Sequence, residues 1–212
     1  MNRERSRTAG TLGEIIRLDV SEVNDLKILS SNNLKLKFAN IEDRRTIYNM
    51  LISPEIIHFM FNESHPAPTR EEFCEENEGY YSGNPSRNGS YVLIEYKNEI
   101  IGSISYACEY LKIPYCELDI WMGSVRNTGK GLGTEAINRI IEFINSEYDI
   151  KHFLIRPWNR NINAIKAYKK CGFEEDEGLD LDKYYSDEAM YEYGDGDYGK
   201  EETTNLIKII NK

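Results

Sequence analysis

Three glycines spaced two residues apart, Gly129, Gly131 and Gly133, stand between a stretch that alternates like a strand and one that repeats like a helix. Cys116 to Gly123 alternates, and Ala136, Ile137, Ile140, Ile141 and Ile144 recur at helical spacing. The glycines therefore fall where a strand ends and a helix begins. A glycine-rich turn at such a junction exposes backbone N–H groups at the positive end of a helix, a ready receptor for phosphate oxygens. Glycine suits it because the main chain must approach the ligand closely and adopt conformations that a Cβ disfavours. The run Thr128-Gly129-Lys130-Gly131-Leu132-Gly133-Thr134 reads as a pyrophosphate cradle.

Spacing narrows the ligand. A nucleotide-triphosphate loop has four residues between its first glycine and a Gly-Lys pair followed by Ser or Thr. Here five residues separate Gly123 from Gly129, and Gly131 follows Lys130. A dinucleotide fingerprint is G-x-G-x-x-G, whereas this turn is G-x-G-x-G. One strand further on, Asn161, Ala164 and Tyr168 lead into Gly172-Phe173. Together the two segments resemble the GNAT superfamily of N-acetyltransferases, whose signature is R/Q-x-x-G-x-G/A followed by N-x-x-A-x-x-x-Y-x-x-x-G-F. The second pattern matches at every named position; the first matches at Gly131 and Gly133, with Thr128 in the Arg/Gln place.

That resemblance covers roughly Leu34 to Phe173 and implies an α/β (α+β) acetyltransferase fold. Such a fold is a twisted mixed sheet of about seven strands with helices on both faces and splayed central strands. It also implies acetyl-CoA as acetyl donor, with Thr128 to Thr134 at the pyrophosphate, main-chain N–H groups near Met122 along the pantetheine arm, and Asn161 touching that arm. Asn161 reads independently as a helix N-cap. By the same resemblance Tyr168 is the acid that protonates the leaving sulfur.

Residue patterns place the elements. Leu34, Leu36 and Phe38 alternate as a first strand. Helices are expected over Ile41 to Leu51, around Ile56 to Phe61, and from Thr69 toward Tyr80. Strands follow at Tyr91–Tyr96 and Ile100–Cys108, joined through Lys97-Asn98, and later at His152–Ile155. The expected organisation is an extension at 1–32 and one N-acetyltransferase domain at 33–212. That domain carries an acidic insertion at about 176–203, before a last strand containing Leu206 to Ile210. Such a long insertion is either functional or mobile.

Alternation along Cys116–Gly123 sets Cys116, Leu118, Ile120 and Met122 on one side, toward the core, and Glu117, Asp119 and Trp121 on the other. The second set reads as a poor core and a plausible acceptor cleft. An alkylammonium with pKa near ~10 must lose a proton before it attacks a thioester. Asp119 is the first candidate to guide that loss, with Glu117 and Trp121 as acceptor-binding neighbours.

Net charge is −10, unevenly spread. Glu174 to Glu202 holds thirteen acidic residues against two lysines, a net −11, so the rest of the chain is +1. No basic stripe with interleaved aromatics supports nucleic-acid binding, and no apolar run approaches a membrane span. The polar, basic start Met1 to Arg7 lacks the apolar stretch of a secretion signal. Four cysteines without metal-ligand spacing suit reduced thiols in the cytoplasm and no metal. Nothing in the sequence excludes a homodimer.

Leu118 to Gly123 and Thr128 to Thr134 look most like the aminoglycoside 6′-N-acetyltransferase branch, in which an acidic residue occupies the place of Asp119. The aspartate often found there before proline is Arg156 in this chain, a reversal that disfavours a polycation, while the acidic insertion favours one. The expected acceptor is a primary amine of a small cationic molecule, aminoglycoside-like or polyamine-like. The alternatives are a protein N-terminal or lysine acetyltransferase, and a non-catalytic CoA sensor.

Overall fold

The computed structural model describes residues 28–30, 34–63, 65–75 and 78–211. Their strands form one mixed sheet in the order β1-β2-β3-β4-β5-β6-β8-β7. These are β1 (Ile28–Ser30), β2 (Leu34–Phe38), β3 (Gly89–Tyr96), β4 (Glu99–Glu109), β5 (Tyr115–Met122), β6 (His152–Ile155), β7 (Glu174–Glu175) and β8 (Leu206–Ile209). β1 adds an eighth, edge strand from within the stretch expected as an extension; the remainder of 1–32 lies outside the described residues.

Helices α1 (Arg44–Leu51), α2 (Ile57–Met60) and α3 (Arg70–Glu75) precede the β3–β4 hairpin. Asn40 starts this segment with a capping box: its side chain accepts from the N–H groups of Glu42 and Asp43, and the Asp43 carboxylate accepts from the Asn40 N–H. The expected third helix stops at Glu75, and a separate 3-10 turn covers Glu78–Tyr81. The hairpin turns through Lys97 and Asn98, both left-handed at φ 53 and 64, the two-residue geometry that matches strand twist. After β5 come α4 (Leu132–Tyr148) and, beyond β6, α5 (Ile162–Lys170). Gly172, with φ 85, ends α5 as expected of a glycine just past a helix.

β5 pairs with β4 along its whole length, but with β6 only from Tyr115 to Glu117. Beyond that point the two parallel strands part, and the β5 edge from Leu118 to Met122 has no strand beside it. The Gly123 N–H donates to the Ile101 carbonyl (2.8 Å). Alternation in an antiparallel ladder then aims the Ile120 and Met122 N–H groups at the open edge.

One sheet face carries the main core, where Leu36, Val92, Ile104 and Leu118 meet Ile137, Ile140 and Ile144 of α4 and Tyr168 of α5. The opposite face is covered in two separate patches. Trp121 packs with Ile47, Leu51, Phe73, Tyr91 and Leu93 under α1 to α3. Tyr115 and Leu154 pack with Leu181, Tyr184 and Tyr185 of the acidic segment. That face is thus not the poor core its acidic residues suggested. Its two ends on β5, Tyr115 and Trp121, are core, and only Glu117 and Asp119 lie in the gap between the patches.

The acidic segment is itself built. It holds a 3-10 turn (Leu181–Lys183) and helix α6 (Asp187–Tyr193), whose Ser186 side chain caps the Ala189 N–H. Leu181, Tyr184, Tyr185 and Tyr198 are buried.

Candidate active site

A cavity of about 1630 Å³ follows the parting of β5 and β6 from the glycine turn to the acidic segment. Of the residues expected from sequence, Met122, Thr128, Gly129, Gly131, Gly133, Thr134, Asn161, Tyr168, Asp119, Glu117 and Trp121 all line it. Lys130 is exposed outside it, and the Leu132 side chain turns into the main core. Leu132 therefore has only main-chain groups to offer at the turn.

The turn has the form that an anion receptor requires. Gly129 and Gly131 are left-handed at φ 69 and 80, and no atom lies within 4 Å of where a Cβ would stand. Backbone conformation, not crowding, demands glycine there. Gly131 is the N-cap of α4 and brings no side chain to it. The first-turn N–H groups of Leu132, Gly133 and Thr134 therefore have neither a helical carbonyl nor a capping group to bond. Upstream, the Thr128 hydroxyl donates to the Val125 carbonyl (2.7 Å) and closes the preceding 3-10 turn. Glu55, which sequence reasoning missed, braces the same turn by accepting from Ser124 Oγ (2.6 Å) and the Val125 N–H (3.0 Å). Asn161 caps α5 through the Ala164 N–H (3.2 Å).

Asp119 reaches solvent through the cavity, but protein surrounds it on its other sides. That desolvation, reinforced by the charges of Asp197 and Glu117 and partly offset by the Ile120 N–H on its Oδ1, pushes its pKa up to about 7. The Ile120 bond is 2.8 Å long. Tyr168 is rooted in the main core and lines the same cavity as Asp119. Burial, then the neighbouring charges of Asp119 and Tyr198, hold its pKa well above the usual phenol range. The phenol stays protonated at any physiological pH.

Glu117 is placed differently from Asp119. Its Oε1 accepts from Arg156 Nε (2.9 Å) and its Oε2 from the Tyr185 hydroxyl (2.6 Å). Both oxygens are engaged, so Glu117 forms wall and Asp119 is the carboxylate presented to the opening. The Arg156 charge that disfavoured a cationic acceptor is spent inside the protein, on Glu117 and on two carbonyls of the acidic segment.

The acidic segment adds residues that no motif announced. Asp197 and Tyr198 line the cavity beside Asp119. Tyr198 stacks on Trp158 with ring centroids 5.8 Å apart, and its hydroxyl donates to the Met60 carbonyl (2.9 Å). It therefore spans the cleft from the β6–α5 connection to α2. The available signal was composition: five tyrosines between Tyr184 and Tyr198 are too many for a merely solvated acidic loop.

Residues 33–174 match the sequence profile of the Acetyltransferase (GNAT) domain family, two thirds of the chain. The chain belongs to this family. A 57-residue stretch is 30% identical to aminoglycoside N(6')-acetyltransferase type 1 of Klebsiella pneumoniae, spanning 27% of this chain and 28% of that enzyme. The chain thus matches little more than a quarter of that relative's length. In structure, this GNAT domain resembles aminoglycoside acetyltransferase AAC(6')-Ib in complex with coenzyme A. The TM-score is 0.60 at 16% identity, covering 83% of this chain and 94% of that one. It also resembles spermidine N-acetyltransferase from Vibrio cholerae in complex with CoA and spermine, with a TM-score of 0.61 at 19% identity over 84% and 96%. At these identities the likeness establishes the fold. The open β5 edge is the splay expected of it.

Proposed function

We propose that this GNAT protein is an acetyl-CoA-dependent N-acetyltransferase that acetylates a primary amine of a small cationic acceptor. The single observation that carries this reading is that Asp119 and Tyr168 line one cavity with the uncapped helix start at the glycine turn. Acetyl-CoA suits the cavity's other end. The N–H groups of Leu132, Gly133 and Thr134 would hold its diphosphate, and that of Met122 would hydrogen-bond its arm along the open edge, the Ile120 N–H being engaged by Asp119 Oδ1. When bound, it supplies an acyl group activated as a thioester.

The chain's own residues do the rest. Asp119, its pKa pushed up to about 7, takes a proton from the acceptor ammonium. The Tyr168 hydroxyl, kept protonated, donates its proton to the departing sulfur. Asp197 faces the same opening and offers a second acceptor cation a counter-charge. Tyr198, strapped from Trp158 to Met60, closes the acceptor side to a size that suits a small molecule over an extended polypeptide.

The test is thiol release from acetyl-CoA against polyamines, aminoglycosides, amino acids and short peptides. Turnover with a polyamine or aminoglycoside is the expected result. Turnover with peptides alone replaces the acceptor class by a protein terminus or lysine. Coenzyme A binding without turnover on any amine makes the domain a sensor.

A further inference from the structure

The Arg156 guanidinium is engaged on every nitrogen. Nε donates to Glu117 Oε1 (2.9 Å), Nη2 to the Tyr193 carbonyl (2.6 Å) and Nη1 to the Gly194 carbonyl (3.3 Å). The side chain is 6% exposed, and its Cζ lies 5.2 Å from the centre of the Tyr185 ring. Tyr185 completes the cluster by donating to the other Glu117 oxygen (2.6 Å) from its seat in the patch with Tyr115. The two carbonyls end α6, where a helix leaves its last carbonyls without internal partners and favours a cation.

Asp197 lies three residues beyond Gly194, in a turn with little freedom. Gly194 leaves no room for a Cβ, which would stand 2.4 Å from the Met190 carbonyl oxygen. Gly196 is left-handed at φ 73, and its N–H bonds the Tyr193 carbonyl (2.9 Å). Thr203 Oγ1 donates to the Asp195 carbonyl (3.2 Å), and the Gly199 N–H to the Gly196 carbonyl (3.1 Å). A tie at Tyr193 and Gly194 is thereby transmitted to Asp197. Arg156 also joins that turn to the strand carrying Asp119, because Glu117 sits two residues before it on the same face of β5.

We propose that Arg156 is a positioning residue that latches the α6 end to β5 through Glu117, and so holds the Asp197 carboxylate facing Asp119. The latch rests on the acyl-transfer reading only for its catalytic consequence; its structural consequence stands alone. The charged and titratable groups facing Asp119 are Glu117 on its own strand, Tyr168 from α5, and Asp197 and Tyr198 from the acidic segment. Arg156 lies beyond Glu117, and His65 lines the small side cavity shared by Asp119 and Asp197.

The deciding experiment follows the Asp119 carboxyl by carbon-13 NMR titration in the protein without ligands, in wild type, Arg156→Lys, Asp197→Asn and the double variant. Lysine keeps the charge beside Glu117 but cannot fork to two carbonyls. The latch requires the Asp119 midpoint to fall in Arg156→Lys, to fall likewise in Asp197→Asn, and to fall no further in the double variant. Hydrogen exchange over 187–198 must also quicken in Arg156→Lys. An unchanged or raised midpoint in Arg156→Lys overturns the proposal, since lysine keeps the charge beside Glu117 and only a displaced Asp197 would lower the Asp119 midpoint. Unchanged exchange overturns it too. Asp197→Asn alters an exposed side chain and keeps the test decisive if Arg156→Lys fails to fold: no downward shift there is equally fatal. In turnover, Arg156→Lys should raise the acceptor KM about tenfold, the scale of one lost charge-assisted contact, and leave coenzyme A affinity unchanged. A chain that never turns over refutes the function proposed above, while the carboxyl titration still decides the latch.

Discussion

The two ends of the cavity are built on opposite principles. At the glycine turn the protein presents main chain: Gly129 and Gly131 supply left-handed conformations, and α4 supplies uncapped N–H groups. At the acidic segment it presents side chains, with Asp197 and Tyr198 carried on a piece of chain tied down by Arg156, Trp158 and Met60. A backbone receptor needs few particular residues and answers one recurring group, a diphosphate. A side-chain receptor takes its selectivity from whichever residues the packing delivers, so it can change without disturbing the other end. Under the proposed function, donor and acceptor recognition would be separable in this protein, with Asp119 and Tyr168 at the seam.

The largest effect should arise at that seam. Replacing Asp119 by Asn should lower kcat/KM by about 10² to 10⁴, the usual worth of a positioned acid or base. Coenzyme A affinity measured by calorimetry should be unchanged; a matching loss of affinity would place Asp119 with the donor end and break the division. Tyr168→Phe should lower kcat by about 10² and leave coenzyme A affinity nearly unchanged; equal losses in both would remove its role as acid.

Gly131→Val tests the donor end. A β-branched residue at φ 80 strains the α4 start, and coenzyme A affinity should fall about tenfold or more while the acceptor KM among residual turnovers holds. A weakened acceptor KM of equal size would show the two ends to be coupled.

The pH profile sharpens the seam further. Base catalysis by Asp119 makes kcat/KM rise with pH and level off above about 7. Because folding raises this carboxyl above its ordinary value of 3.8, the folded state holds its proton more tightly than the unfolded one. The stability this proton contributes is full below about pH 4 and is lost as pH rises through 7. Asp119→Asn should therefore raise Tm at pH 8 and leave it unaltered at pH 4, a contrast that thermal melts at the two pH values would check.

Smallest is the effect of Tyr185→Phe. It strips one hydrogen bond from Glu117 at the root of the acidic segment and should cost about 1–3 kcal/mol in denaturant unfolding, with coenzyme A affinity untouched.

Much of this was legible in the residues. Gly131, Gly133, Asn161, Tyr168 and Gly172 announce a family through conformational needs that leave a linear trace: a left-handed cap, an N-cap oxygen, a glycine past a helix end. The hairpin at Lys97-Asn98 and the β6 bounds follow from the same local chemistry. The second face of β5 leaves no such local trace. Alternation tells which residues share a side, but not that Tyr115 and Trp121 are covered by two unrelated segments with Glu117 and Asp119 left between them. Likewise, Arg156 looked like a charge in the acceptor site because its partners, Glu117, Tyr193 and Gly194, are distant in sequence.

What the chain's order of residues determined by itself, then, is the glycine-turn end of the cavity: helix caps and left-handed glycines act within a few residues of one another, and their energetics are local. Only the tertiary structure decided the end built by the acidic segment. There the outcome depends on which buried aromatic draws which segment onto the sheet, and on how Arg156 finds the Glu117 carboxylate 39 residues away along the chain. Burial and charge pairing act through space, and no short stretch of sequence records them.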